Sequence, residues 1–143
     1  MKILNSIQNK ILAQFAAFLL LLLGIFVAST VIVQKQKNDG LLINLAGRQR
    51  MLTQKMTKEI LIFTTENNEK NKEQILSTVT IFEKTLLALK NGGEAPLDLQ
   101  MTEFRRCPPA QSEEIERQLA QVISLWQPFK RNIQSLLDAP EGY

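Results

Sequence analysis

Residues 11–33 read ILAQFAAFLLLLLGIFVASTVIV, and this stretch decides how the rest of the chain can be arranged. It contains no charged side chain, and residues 19–23 are all leucine. A helix rises about 1.5 Å per residue, so the stretch is long enough to cross the roughly 30 Å hydrocarbon core of a membrane. The sequence therefore predicts one transmembrane helix near the N-terminus.

A cleaved signal peptide is the alternative interpretation of this stretch. Its apolar core would have about 7 to 15 residues and would end in a small-residue cleavage site, which Ala28-Ser29-Thr30 matches poorly. We therefore expect an uncleaved anchor, with residues 1–10 as a tail on one side and residues 34–143 on the other. The charges do not decide the orientation, because basic residues occur on both sides of the span: Lys2, Lys10, Lys35, Lys37 and Arg48.

The composition bounds the size and the function of the chain. Its 143 residues leave roughly a hundred outside the membrane, enough for one small domain. The 17 basic and 14 acidic residues give a net charge of +3, too small an excess to indicate a nucleic-acid partner. Histidine is absent and there is one cysteine, so the common catalytic dyads and metal sites cannot be assembled. We predict no enzyme activity, no catalytic residue, no metal and no cofactor.

Cys107, the single cysteine, lies beside Pro108 and Pro109 in a predicted loop. It has no partner for a disulfide within the chain. We interpret it as an ordinary small side chain rather than a reactive thiol, while a disulfide to another chain stays open.

After residue 33 the apolar residues recur at helical spacing, and no stretch of four or more residues alternates as a strand would. The first helix is expected to continue out of the membrane with a narrow core-facing stripe of Leu45, Leu52, Met56 and Phe63. Residues 64–71 are polar and form the predicted turn. The second helix ends at Gly92-Gly93 and carries a stripe in alternating steps of four and three residues: Ile75, Val79, Phe82, Leu86 and Leu89.

The third predicted helix follows an irregular segment, residues 94–111. Ser112 is its predicted N-cap, and Glu113 and Glu114 lie in the first turn, where the helix dipole favours acidic residues. Pro128 interrupts the helix and should bend it. The apolar stripe repeats the spacing of the second helix: Ile115, Leu119, Val122, Trp126, Phe129, Ile133 and Leu136.

Three amphipathic helices with antiparallel connections predict an all-α protein, in which one transmembrane helix is followed by an up-down helical bundle. Three helices leave an apolar flank that a fourth helix would cover. We expect the cover to be either a second copy of the chain or a last helix that this sequence lacks.

Residues 43–56 read INLAGRQRMLTQKM, which is unusual for a core helix. Gly47 lowers helix stability by about 0.5 to 1 kcal/mol relative to alanine, which is explained if a backbone or a ligand approaches closely. If two such helices paired here, two Arg50 guanidinium groups would meet, and a small planar oxyanion between them would remove their repulsion. At about 100° per residue, Gly47 and Arg50 belong to one stripe on the side of the helix opposite the core stripe. The members of this stripe are Ile43, Gly47, Arg50, Gln54 and Leu61.

The simpler interpretation is a solvated basic face close to the membrane, in contact with anionic headgroups, formed by Arg48, Arg50, Lys55 and Lys58. Periodicity alone favours this interpretation, because charged residues on a helix face are ordinary.

Residues 43–54 resemble the signature of the NarX/PilJ-type sensor domain, which occurs in nitrate/nitrite sensor kinases and in type IV pili methyl-accepting chemotaxis transducers. A looser match at residues 125–129, LWQPF, extends the resemblance to roughly residues 34–137. The resemblance implies a periplasmic four-helix bundle that dimerises and, in nitrate-binding members, holds one anion at the two-fold axis between first helices. By this resemblance Gly47 and Arg50 contact the anion, with Asn44, Arg48 and Gln54 as neighbours. It also implies a cytoplasmic N-terminus and an inner-membrane location.

The expected function is a membrane-anchored sensor module for signal transduction or chemotaxis. It would bind a small nitrate-like or nitrite-like anion as a homodimer, or as a heterodimer with related receptors. Receptors of the family usually add a fourth helix, a second transmembrane helix, a HAMP linker and an output module, and we expect this chain to lack them. The alternative is therefore a truncated structural protein that pairs with full-length receptors and senses nothing.

We predict that residues 11–33 are retained in the mature protein. The chain should fractionate with membranes, and mass spectrometry should recover peptides from residues 11–33 in the mature protein. Mass spectrometry that found a mature N-terminus near Thr30 would contradict this prediction and indicate a cleaved signal peptide.

Overall fold

The computed structural model describes residues 2–139, with side-chain environments from residue 7 onward; Met1 of the predicted tail and residues 140–143 of the predicted sensor domain lie outside the described residues. Within this range the chain forms three helices and one two-stranded sheet. In chain order the elements are α1 (Lys2–Thr65), α2 (Glu69–Asn91), β1 (Gly93–Pro96), β2 (Phe104–Cys107) and α3 (Glu113–Leu137). Two compact units result, residues 1–39 and residues 40–143, and α1 contributes to both.

The first unit is the apolar part of α1. Every side chain in residues 7–37 is exposed, including all those of the predicted span. Apolar side chains that surround a helix without burial in the protein need an apolar solvent around them. Among the described residues, α1 is the one helix long and apolar enough to cross a membrane, which agrees with the predicted transmembrane helix.

In the second unit, the core is formed where the stripes of α1 and α2 meet. Both predicted stripes are buried, so both predictions are confirmed. The main core cluster combines side chains from all three helices: Leu52, Met56, Phe63, Ile75, Val79, Ile81, Phe82, Leu86, Trp126, Ile133 and Leu137. A smaller cluster lies where the sheet packs on α1 and α2: Leu41, Leu45, Ala88, Leu89, Ala95 and Cys107.

The turn between α1 and α2 is shorter than the predicted residues 64–71, because both helices extend into that range. The Oδ1 atom of Asn68 caps α2 by accepting a hydrogen bond from the backbone N–H of Asn71 at 2.9 Å. The side chain of Asn71 in turn donates to the carbonyl of Glu66 at 2.7 Å. Asn68 therefore caps the start of α2, and Asn71 connects the first turn of α2 to the residue that follows α1.

Gly92 ends α2, as predicted. Its φ angle is 76°, a conformation that favours glycine, and its N–H donates to the carbonyl of Ala88 at 2.9 Å. A Cβ atom at this position would lie 3.0 Å from the backbone nitrogen of Pro109. The N–H of Ala110 donates to the carbonyl of Lys90 at 3.1 Å, so the chain returns to the end of α2 after the sheet.

The prediction of a segment without strands at residues 94–111 is wrong, because β1 and β2 form an antiparallel hairpin there. Gly93 lies opposite Cys107, and Pro96 lies opposite Phe104. Strands of four residues are too short to show an alternating pattern, and the hairpin is stabilised instead by packing on α1 and α2.

The loop of the hairpin is closed by the carboxylate of Asp98. This carboxylate accepts hydrogen bonds from the backbone N–H groups of Thr102 at 2.9 Å and Glu103 at 3.2 Å, and from the Thr102 hydroxyl. These hydrogen bonds hold the pKa of Asp98 below its usual value, and the one from the Thr102 hydroxyl has the largest effect. The N–H of Leu97 donates to the carbonyl of Glu103 at 2.7 Å and continues the pairing beyond the strands.

Helix α3 begins as predicted, because the Oγ atom of Ser112 accepts a hydrogen bond from the N–H of Ile115 at 3.3 Å. Pro128 lies inside α3, which continues past it to Leu137. The predicted bend at Pro128 stays a prediction.

The predicted packing of the whole α3 stripe is only partly right. Trp126 and Ile133 are buried, and Leu119 and Leu136 are partly buried. Three members of the stripe are exposed instead: Ile115, Val122 and Phe129. The reason is that α1 and α2 cover only one side of α3, which leaves the apolar flank expected of three helices.

This open flank contains a groove between α1 and α3, with a volume of about 350 Å³. The groove is lined by Thr53, Met56, Phe82, Val122, Leu125, Trp126 and Phe129.

Trp126 packs α3 against α2. Its ring lies 4.3 Å from that of Phe82, centroid to centroid, and only 5% of its surface is exposed. The indole N–H donates to Oε1 of Glu83 at 3.4 Å, and the other carboxylate oxygen of Glu83 accepts from Nζ of Lys130 at 2.6 Å. The aromatic contact and the ion pair therefore join the same two helices.

We predict that Trp126→Ala lowers the free energy of unfolding by about 3 to 5 kcal/mol, because it removes a buried aromatic side chain and leaves a cavity. Urea unfolding of the full chain in detergent micelles, followed by circular dichroism, measures this. Leu125→Ala is the matched control. The Leu125 side chain is 72% exposed, so its removal should lower the free energy of unfolding far less. Equal effects of the two substitutions would contradict the packing of α3.

Candidate functional site

Helix α1 has two different faces in residues 43–63. The stripe of Leu45, Leu52, Met56 and Phe63 is buried. The five residues of the opposite stripe are all exposed in this chain: Ile43, Gly47, Arg50, Gln54 and Leu61. Ile43 is 73% exposed and Leu61 is 63% exposed, although both are large and apolar. The spacing of about 100° per residue therefore predicted the two faces of α1 correctly.

Gly47 and Arg50 form the centre of the exposed stripe. A Cβ atom on Gly47 would meet no other group of the chain within 4 Å, so packing within one chain does not require glycine there. Arg50 follows three residues later, about 4.5 Å further along the helix axis. Its exposed guanidinium can present a planar set of donors to a carboxylate or another planar oxyanion.

The three predicted neighbours divide between the two faces. Gln54 is exposed on the same stripe as Arg50, and Asn44 is exposed at its edge. Arg48 lies on the other side, where its Nη1 atom donates a hydrogen bond to the carbonyl of Pro96 in β1 at 2.8 Å. The structure therefore brings Gly47, Arg50 and Gln54 together and places Arg48 away from them.

The surroundings of Arg48 are partly apolar. Burial lowers the pKa of its guanidinium, and the nearby carboxylate of Asp98 acts in the opposite direction. Arginine stays charged in proteins, so the carbonyl of Pro96 and the carboxylate of Asp98 both face a cation. The Nη2 atom is buried without a hydrogen-bond partner among the described residues.

Gln49 is a residue of this segment whose role the sequence did not predict. Its Nε2 atom donates to the carbonyl of Phe82 in α2 at 3.2 Å. Arg48 and Gln49 therefore connect consecutive positions of α1 to two different elements. The sequence did contain one sign of this role, since Arg48 and Gln49 are long polar side chains on either side of the core stripe.

A second polar group lies deeper in the contact of α1 with α2. Lys55 forms an ion pair with Glu59, and its Nζ atom donates to the hydroxyl of Thr78 at 3.3 Å. Only 7% of Glu59 is exposed, and its second carboxylate oxygen has no donor among the described residues.

The expected solvated basic face is wrong for Arg48 and Lys55, because Arg48 binds the carbonyl of Pro96 and Lys55 pairs with Glu59. Arg50 and Lys58 are exposed.

Two further expectations concern metals and the thiol. In residues 7–139, whose side chains the structure describes, no group of three acidic or cysteine side chains is placed to hold a metal ion. Cys107 is 2% exposed, and its thiol lies 3.4 Å from the carbonyl of Pro108. Burial raises the pKa of this thiol, which agrees with an ordinary packed side chain.

Comparison with known proteins relates this segment to a family of sensor domains. A family model described as the N-terminal domain of the type IV pili methyl-accepting chemotaxis transducer, PilJ, matches residues 31–141. This range covers the exposed stripe of α1, the hairpin, α2 and α3, and it confirms the PilJ part of the resemblance inferred from residues 43–54. Searches of curated proteins and of solved structures found no match.

We predict that Cys107 reacts slowly with a maleimide in the folded chain. The thiolate is the reacting species, so a raised pKa lowers its fraction at neutral pH, and burial blocks access as well. The control is an Asn44→Cys variant that also carries Cys107→Ala, since position 44 is exposed. Labelling followed by mass spectrometry at pH 7 should show the control reacting far faster, and equal rates would contradict the burial of Cys107.

Proposed function

The chain belongs to the family of type IV pili methyl-accepting chemotaxis transducer N-terminal domains, and we propose that it is a membrane-anchored sensor module that binds a small oxyanion between two copies of α1. In this proposal residues 11–33 cross the inner membrane, residues 1–10 are cytoplasmic, and residues 34–143 form the sensor domain in the periplasm. The ligand is a nitrate-like or nitrite-like anion, and Gly47 and Arg50 are its main contacts. Gln54 and Asn44 are the neighbours that share the exposed side.

One observation carries this proposal, namely the exposed stripe of α1 with an unobstructed glycine beside an exposed arginine. Ile43 and Leu61 lie towards the two ends of the stripe, and both remain largely exposed. Large apolar side chains that line one exposed surface are typical of an interaction site. A second α1 is a suitable partner, because the absence of a side chain at Gly47 lets another backbone approach closely.

The charge of Arg50 makes such pairing depend on an anion. Two unit charges about 4 Å apart repel by roughly 4 kcal/mol at an effective dielectric constant of about 20. The repulsion between two Arg50 side chains would therefore weaken a pair without ligand. A planar oxyanion between them accepts hydrogen bonds from both guanidinium groups and reverses the sign of the interaction.

Anion binding would act as a signal because the ligand binds one state better than the other. A ligand shifts an equilibrium only through its different affinities for the two states, and an anion held by two Arg50 side chains binds the pair alone. The exposed stripe and the apolar stretch belong to the same helix, α1. We therefore propose that a change in pairing of the stripe is the input that this domain passes to the membrane.

We predict that nitrate strengthens dimerisation of the wild-type chain and that Arg50→Ala abolishes this effect. A ligand specific to the dimer stabilises it by about 2.7 kcal/mol at a hundredfold excess over its Kd, which lowers the dimer dissociation constant roughly a hundredfold. Without nitrate, Arg50→Ala should dimerise as well as the wild type or better, because the repulsion is removed. Analytical ultracentrifugation of the full chain in detergent micelles measures both effects.

The matched control is Arg131→Ala, which removes the same charge from an exposed position of α3. It should leave the response to nitrate intact. Arg50→Lys should restore binding only weakly, since an ammonium lacks the planar donor set. If nitrate, nitrite and small carboxylates leave the wild-type dissociation constant unchanged, the ligand proposal is wrong, and a protein that pairs with receptors without sensing becomes the better description.

A further inference from the structure

Arg48 and Gln49 are consecutive residues of α1 whose side chains reach different elements. The guanidinium of Arg48 donates to the carbonyl of Pro96 in β1 at 2.8 Å, and the amide of Gln49 donates to the carbonyl of Phe82 in α2 at 3.2 Å. Both acceptors are backbone groups in structured elements. The two side chains therefore connect α1 to two separate supports at nearly the same height along its axis.

The two contacts lie on opposite sides of the buried stripe. Consecutive helical residues point about 100° apart, and the direction of Leu45 and Leu52 falls between those of Arg48 and Gln49. If α1 turned about its axis, one of the two side chains would be carried towards its acceptor and the other away from it. The pair therefore opposes rotation of α1 in both directions.

We propose that Arg48 and Gln49 are positioning residues that fix the rotation of α1, with the hairpin as the support on one side, so that Gly47 and Arg50 face away from the rest of the chain. The purpose of this orientation rests on the proposed function of the exposed stripe. The orientation itself does not depend on that function. In this assignment Arg48 is not a contact of the anion.

The hairpin is suited to be a support because it is fixed to both helices. Pro96 is fully buried, and Ala95 and Cys107 pack in the cluster that includes Leu41 and Leu45 of α1. The same cluster includes residues near the end of α2, so the acceptor of Arg48 is positioned by α1 and α2 together.

Arg48 cannot serve the exposed stripe in this arrangement. It lies about 160° around the helix from Arg50, and its Nη2 atom is inaccessible to solvent. A positioning role and a ligand role also differ in the chemistry they need. The carbonyl of Pro96 accepts from one nitrogen of Arg48, which a lysine can replace, whereas a planar anion needs the guanidinium.

The rotation is tested without any ligand by two reporter cysteines on opposite edges of the buried stripe, Met51→Cys and Thr53→Cys, each in a Cys107→Ala background. Maleimide labelling rates are measured on the full chain in detergent micelles. Arg48→Met should raise the rate at one reporter and lower it at the other, each by roughly threefold, because a turn exposes one edge and covers the other. Gln49→Leu should change the two rates in the opposite sense.

Lysine at position 48 is the conservative variant and should restore the wild-type pattern. A general loss of stability would raise both labelling rates together, so that result contradicts the positioning role. Unchanged rates in Arg48→Met and in Gln49→Leu contradict it as well.

A second measurement relates the orientation to the proposed ligand. Arg48→Met should weaken the effect of nitrate on the dimer dissociation constant roughly tenfold, about the loss expected for one hydrogen bond to a charged group, and Arg48→Lys should restore it. If Arg48→Lys fails as Arg50→Lys does, Arg48 is a ligand contact and the positioning role is overturned. If wild-type chain does not respond to nitrate, the proposed function fails, and the labelling pattern alone decides whether Arg48 and Gln49 position α1.

Discussion

The burial of one side of α1 is the constraint on which the rest of the second unit depends. Leu45, Leu52, Met56 and Phe63 each remove apolar surface from water, and a fully buried side chain of this kind contributes about 1.5 to 3 kcal/mol. Helix α2 supplies a matching stripe, α3 covers part of the junction through Trp126, and the hairpin covers the part near Leu41. Because one face satisfies the core, the opposite face of α1 is free to carry other chemistry.

The helices and their ends could be predicted because their causes are local. Ser112 caps α3 through its own side chain, and Gly92 ends α2 through its own φ angle. The hairpin could not be predicted, since its strands are short and depend on packing against residues far away in the sequence. Val122 and Phe129 follow the same spacing as the buried Trp126, and only the presence or absence of a neighbouring helix distinguishes them.

In the candidate site, too, the features with local causes could be predicted and those that depend on distant residues could not. The exposed position of Gly47 and Arg50 follows from helical periodicity, which the sequence contains. The roles of Arg48 and Gln49 do not, because their acceptors are backbone carbonyls, and every residue type carries one. The pairing of Lys55 with Glu59 is visible as an i, i+4 spacing, but its burial beside Thr78 is not. The Lys55 side chain is still 33% exposed, and the ion pair is weak evidence for stability because the desolvation of Glu59 offsets much of the attraction.

The segment that contains the hairpin begins and ends at the same place, the end of α2, where Ala110 donates to the carbonyl of Lys90 and Pro109 lies close to Gly92. The segment is therefore built like an insertion whose two ends are already joined. Lengthening a loop whose ends meet costs little chain entropy, about 0.6 kcal/mol for each doubling of its length. The loop between Leu97 and Glu103 can thus be lengthened at little entropic cost while α2 and α3 keep their connection, as long as Asp98 keeps its hydrogen bonds to Thr102 and Glu103. The part of the domain that supports α1 can therefore change in length without separating α2 from α3.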